Sequence, residues 1–146
     1  MPQVSTGPLV NKVSPVEASP YTFANDDTWA SIQSSAAFPA AGVGGIILNL
    51  PGPTYGVPGA PPTGAPYPSY ATVEQPSNGD FYKVADPSGV LSGAKIFTVW
   101  GGGFDLYDPV NEVLRKYLQC NLAFANFSFT FDDTAQIWIV CAGGPI

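Results

Sequence analysis

Polar and apolar residues alternate most regularly toward the C-terminal end of the chain. In residues 122–131 (LAFANFSFTF), Ala123, Ala125, Phe127, Phe129 and Phe131 fall on one face of an extended backbone, and Asn126, Ser128 and Thr130 on the other. A period of two is the mark of a half-buried strand. Asp132-Asp133-Thr134-Ala135 supplies a turn and residues 136–141 (QIWIVC) a return strand, so the pattern predicts a C-terminal hairpin. Residues 94–100 (AKIFTVW) are apolar on both faces, which predicts a central strand ended by Gly101-Gly102-Gly103. Residues 81–84 and 44–50 predict two shorter strands, and Asp86-Pro87-Ser88-Gly89 a turn with proline at its second position.

Between these strands the period changes. Val110, Val113, Leu114, Tyr117 and Leu118 repeat at helical spacing, with Asn111, Glu112, Arg115, Lys116 and Gln119 on the opposite face. Asp108 stands where an N-cap belongs and Pro109 at the first helical position. Glu112 can pair with Lys116 one turn on, and Asn121 is a stop. The expected fold class is therefore α+β and β-rich: a small antiparallel sheet with one helix (about 109–120) and a C-terminal hairpin, preceded by an extended Pro/Gly-rich arm.

The first half lacks this periodicity. Residues 1–20 carry prolines at positions 2, 8, 15 and 20, which forbid a helix or a central strand. They read as an extended arm whose Leu9, Val10, Val13 and Val16 are candidate partner-binding contacts. In residues 25–32, Asp26 or Asp27 can cap a short helical turn with Trp29 and Ile32 on one side. Residues 51–70 hold seven prolines and four glycines at irregular spacing, an extended strip rather than a collagen repeat. The expected division is an arm (1–20), an irregular segment with one short strand (21–79) and a compact core (80–146).

Composition narrows the function. Charged residues are 11% of the 146, against roughly 25% in a typical soluble domain, so surface is expected to be buried against other subunits. Net charge is −6 and the five cations, Lys12, Lys83, Lys95, Arg115 and Lys116, are scattered. No basic patch for nucleic acid or for an anionic membrane can be built from them. The start of the chain has no basic segment followed by an apolar one, which points to use without Sec export. Cys120 and Cys141 fit a reduced compartment, with a pair between them as the alternative.

The sequence contains no histidine. Ser-His-Asp and Cys-His nucleophilic sets, imidazole bases and histidine zinc sites are thereby excluded. The carboxylates sit at turns and caps, which their local hydrogen bonding explains. Calcium between Asp105 and Asp108, or at Asp132 and Asp133, is the minor alternative. No cofactor and no catalytic residue is expected. Trp29, Trp100 and Trp138 suit a sugar platform if exposed, but Trp100 and Trp138 fall in central strands and are expected in the core.

A proline-rich arm at residues 1–20, a small compact domain, scarce charge and no catalytic set occur together. In this organisation the chain resembles the capsid decoration, or cement, proteins of tailed bacteriophages. The resemblance implies a non-enzymatic virion protein, made in the host cytoplasm. It implies a homo-oligomer, most often a trimer, that clamps the major capsid protein or other virion subunits. It rests on layout, and no site residue carries over from it. The alternative is a carbohydrate-binding or adhesive module of a phage tail or cell surface. Burial of Trp100 and Trp138 separates the two.

Overall fold

The computed structural model describes residues 13–23, 29–52 and 75–143. Among them eleven strands form two mixed sheets. The seven-stranded sheet has the order β1-β3-β5-β10-β11-β7-β8 and the four-stranded sheet β2-β4-β6-β9. In chain order the strands are β1 (Val13–Val16), β2 (Tyr21–Thr22), β3 (Trp29–Ile32), β4 (Ile46–Asn49), β5 (Phe81–Ala85), β6 (Phe97–Trp100), β7 (Asp105–Asp108), β8 (Val113–Arg115), β9 (Tyr117–Cys120), β10 (Asn126–Asp132) and β11 (Ile137–Ala142).

From β1 to β6 successive strands fall alternately in the two sheets. The chain thus winds as a flattened coil, and each turn lays its strand parallel to that of the turn before: β1 on β3, β3 on β5, β2 on β4 and β4 on β6. Parallel pairs need a long crossover, and here a strand of the opposite sheet provides it. The expected antiparallel sheet is corrected in this respect. From β1 to β6, sequence neighbours bury their apolar faces by crossing to the other layer, so they do not pair with each other.

The C-terminal hairpin is present as β10 and β11, with Phe131 opposite Trp138. β6 is central, between β4 and β9. Inward residues of both layers make one core, with Ile46, Leu48, Phe97 and Val99 on one side and Tyr82, Val84, Phe129 and Trp138 on the other. Phe97 and Phe127 meet edge to face across the layers, their centroids 6.1 Å apart, a favoured aromatic geometry.

The expected helix over 109–120 is absent. Its residues form the turn after β7, strand β8 and strand β9. Asp108 Oδ1 accepts from the backbone N–H groups of Val110 (3.0 Å) and Asn111 (3.2 Å). That geometry serves a helix cap and an Asx turn equally well. The outcome is decided by burial. The stripe has no core to face: Val110, Val113 and Leu114 are exposed, while Leu118 packs inward from a strand. Trp29 and Ile32 likewise belong to β3, not to a helical turn; residues 25–28 lie outside the described residues.

The expected division also differs. Val16 is buried in the core and β1 to β4 contribute to both sheets, so residues 13–23 and 29–52 fold with residues 80–143. Val13 is exposed on the edge strand β1. Leu9 and Val10 of the expected arm lie outside the described residues.

Candidate functional site

The topology sorts the turns of the seven-stranded sheet to two ends. The turns 86–89, 109–112 and 121–125 lie at one end, because β5 and β7 finish there and β10 begins there. The turn 133–136, Asp80 and Asp105 lie at the other. Val110 (81% exposed), Leu122 and Phe124 (57% each) project from the first end, which also holds Asp86, Asp108 and Glu112. Asp80, Asp105, Asp132 and Asp133 gather at the second.

Asp86 organises the apolar end. Its carboxylate is buried and accepts three backbone N–H bonds, from Val90 (3.0 Å), Leu91 (3.0 Å) and Phe124 (3.2 Å). It therefore ties the turn after β5 to the turn before β10. Phe124 is held with φ at 64°, a left-handed conformation that a bulky residue adopts only when its surroundings impose it. Its ring lies so close over Gly89 that a Cβ there would come within 2.4 Å of it.

Beside this turn a groove of about 440 Å³ opens on the outer face of the sheet, lined by Trp29, Lys83, Pro87, Phe124 and Asn126. Trp29 and Lys83 are register partners on β3 and β5, and the Lys83 ammonium stands 4.7 Å from the Trp29 ring centroid. One face of that indole is thus occupied. Trp100 and Trp138 are buried, so neither presents a face to solvent.

The acids considered for calcium have other partners. Asp105 Oδ1 is 2.9 Å from Lys116 Nζ. Asp108 Oδ2 accepts from Asn111 Nδ2 (2.8 Å) and pairs with Arg115 (3.3 Å). The Asn111 side chain, ahead of backbone N–H groups and Arg115, holds the Asp108 carboxyl below the usual carboxylate range. Asp132 Oδ1 closes its turn by accepting from Thr134 and Ala135. Among the described residues no three of His, Cys, Asp and Glu come together as a metal-binding group. Cys120 is buried and Cys141 exposed, and both are free thiols. Burial pushes the Cys120 thiol up, and the nearby Asp86 charge adds to it.

Sequence reasoning found the turn at Asp86 but missed its reach to Phe124, which is 38 residues away. It also placed Leu122 and Phe124 within a strand. Asn121 before an alternating run was the available signal for a turn there. The chain matches no protein-family model and no curated protein sequence.

Proposed function

We propose that the chain is a non-enzymatic virion structural protein of the capsid decoration type. It binds and stabilises neighbouring capsid subunits, the major capsid protein or another virion subunit, through the apolar end of its sandwich. The observation that carries this reading is the exposure of Val110, Leu122 and Phe124 on turns at one end of the fold. Exposed apolar side chains at one end of a fold can serve as an interaction site when a partner covers them together. A chain without histidine offers them no general base of the usual kind to serve.

Magnitudes fit repeated weak contacts. Burying three such side chains gains about 5–9 kcal/mol at the usual 1.5–3 each. Association costs roughly 4–15 kcal/mol. One subunit end therefore binds weakly, and occupancy depends on several ends engaging one lattice together. The protein acts in the virion as a homo-oligomer. The sugar-binding alternative draws less support, because a stacking platform needs open aromatic faces and Trp29 has Lys83 over its ring.

The test is to add the purified chain to capsid particles of its virus that lack it, and to sediment the mixture. Saturable cosedimentation with a raised melting temperature of the shell is expected. A chain that stays in the supernatant while binding a glycan array would replace this reading with the sugar-binding one.

A further inference from the structure

The groove beside Phe124 shows solvent one charge. Trp29, Pro87 and Phe124 give it apolar walls, and Lys83 of β5 lines it with them. Asp86 lines it too, but its carboxylate is 1% exposed and saturated by three backbone N–H groups. Glu17, Asp108 and Glu112, the other described acids of this end, do not line it. Among the described residues Arg115 and Lys116 have carboxylate partners, Asp108 and Asp105, whereas the Lys83 ammonium stands over the Trp29 ring. A ring face attracts an ammonium and fixes its place. It leaves N–H donors of that ammonium for an anion.

We propose that this groove receives an extended peptide segment of the partner protein in which an Asp or Glu follows a bulky apolar residue. The apolar side chain lies against Trp29 and Phe124, and the carboxylate meets Lys83. This names the chemistry of the partner at the apolar end and rests on the reading of that end as a docking site. Charge complementarity is the first argument: one fixed cation at an apolar wall selects an anion carried on an apolar body. The net charge of −6 opposes an acidic ligand at long range, so the selection falls on Lys83 alone.

Preorganisation is the second. Trp29 and Lys83 are set side by side by the β3–β5 register. Phe124 is held at its left-handed φ of 64° by the bond from its N–H to Asp86. The walls therefore stand in place before a ligand arrives, which lowers the ordering cost of binding. Form is the third. A volume of about 440 Å³ lies low in the usual range of roughly 300–1,000 Å³ for ligand sites. The groove opens on the face of the sheet, whereas a free organic acid needs walls that bury most of its surface. A peptide gains what the groove leaves uncovered by continuing over the exposed Leu122 at the same end.

Trp29 reports on the groove, because Trp100 and Trp138 are buried. N-acetyl-Leu-Glu-amide and its Leu-Gln and Leu-Lys counterparts are titrated into the full chain while tryptophan emission is followed. The Glu dipeptide should bind saturably and at least tenfold more tightly than the Gln dipeptide, and the Lys dipeptide should not bind. Lys83→Gln should remove the preference for Glu over Gln, and Lys83→Arg, which keeps the charge, should retain it. Octanoate, with the carboxylate and an alkyl chain but no peptide groups, should bind at least tenfold more weakly than the Glu dipeptide. Absence of saturable binding, equal binding of the Glu and Gln dipeptides by the wild-type chain, or a preference that survives Lys83→Gln overturns the proposal. Octanoate as the tightest ligand overturns it as well, in favour of a free fatty acid. The wild-type comparison stands even if a variant fails to fold. A chain that prefers the Glu dipeptide but ignores capsid particles keeps the groove's chemistry and loses the virion reading. One that sediments with particles but binds no dipeptide does the reverse.

Discussion

Trp138 of β11 donates its indole N–H to the backbone carbonyl of Gly101, 3.1 Å away in the core. The bond joins the middle of the seven-stranded sheet to the exit of β6 in the other layer. Close backbone packing surrounds the acceptor. At Gly52 a Cβ would meet the Gly102 carbonyl oxygen at 2.2 Å, so the two backbones pass in direct contact beside Trp138's acceptor. Trp138 also meets Tyr82 and Phe131 ring to ring, at 5.8 and 5.0 Å.

Trp138→Phe keeps most of the packing but removes one of the two donors to the Gly101 carbonyl, which still accepts from the Phe104 backbone N–H at 3.1 Å. A loss of about 0.5–1.5 kcal/mol is expected, and about 3–5 kcal/mol for Trp138→Ala. Denaturant midpoints measure both. Equal losses for the two variants would mean that the hydrogen bond carries the whole effect and the ring packing none.

Glu112 tests the hairpin against the helix. It ends the β7–β8 turn with φ at 55°, where an L-residue is strained by about 1–2 kcal/mol. Glycine relieves that strain and returns about 0.5–1 kcal/mol in backbone entropy. Glu112→Gly should therefore stabilise by up to about 1 kcal/mol. In a helix the same change costs about 1 kcal/mol, so the sign of the shift in thermal midpoint decides.

The contrast at Asp108 shows what was legible in the sequence and what was not. Strand positions with local warrants were readable: β6 from its two apolar faces, and β10 with β11 from alternation around Asp132, whose turn is closed by neighbours two and three residues away. Asp108-Pro109 was ambiguous, since one set of hydrogen bonds opens a helix or a turn. Only the tertiary structure settles it, by giving Val110 and Leu114 nothing to pack against. The parallel pairs were illegible for another reason. Val13 meets Trp29, and Trp29 meets Lys83, across intervening segments that no local pattern relates. The apolar end was missed with them, because it exists only when 86, 110 and 124 are brought to one edge.

The Asp108 carboxyl predicts a local pH response. Its hydrogen bonds, chiefly from Asn111, favour the charged form and lower its folded pKa. The stability it gives the turn is fully present above the ordinary carboxylate value. It is lost as pH falls through the lowered folded value. In a carboxyl NMR titration Asp108 should therefore protonate at lower pH than an unstructured aspartate, and Asn111→Ala should raise its midpoint. A midpoint unmoved by Asn111→Ala would contradict the turn geometry.

The thiols should differ in rate. Cys141 is exposed on β11, whereas Cys120 is buried with its pKa raised. A disulfide-exchange reagent at neutral pH should titrate one thiol per chain quickly, and the second only on unfolding. Two fast thiols would show that the β9 edge opens readily.

The proposed seat of the protein on a virion lattice is its apolar end. The most direct measurement is the occupancy of capsid particles by Val110→Asp/Leu122→Asp, compared with the wild-type chain by quantitative sedimentation. Both residues are exposed, so the variant should fold with an unchanged unfolding midpoint. Its affinity for the particles should fall at least tenfold, about 1.4 kcal/mol or more per subunit, because the two carboxylates meet an apolar surface. Wild-type occupancy by the folded double variant would contradict it.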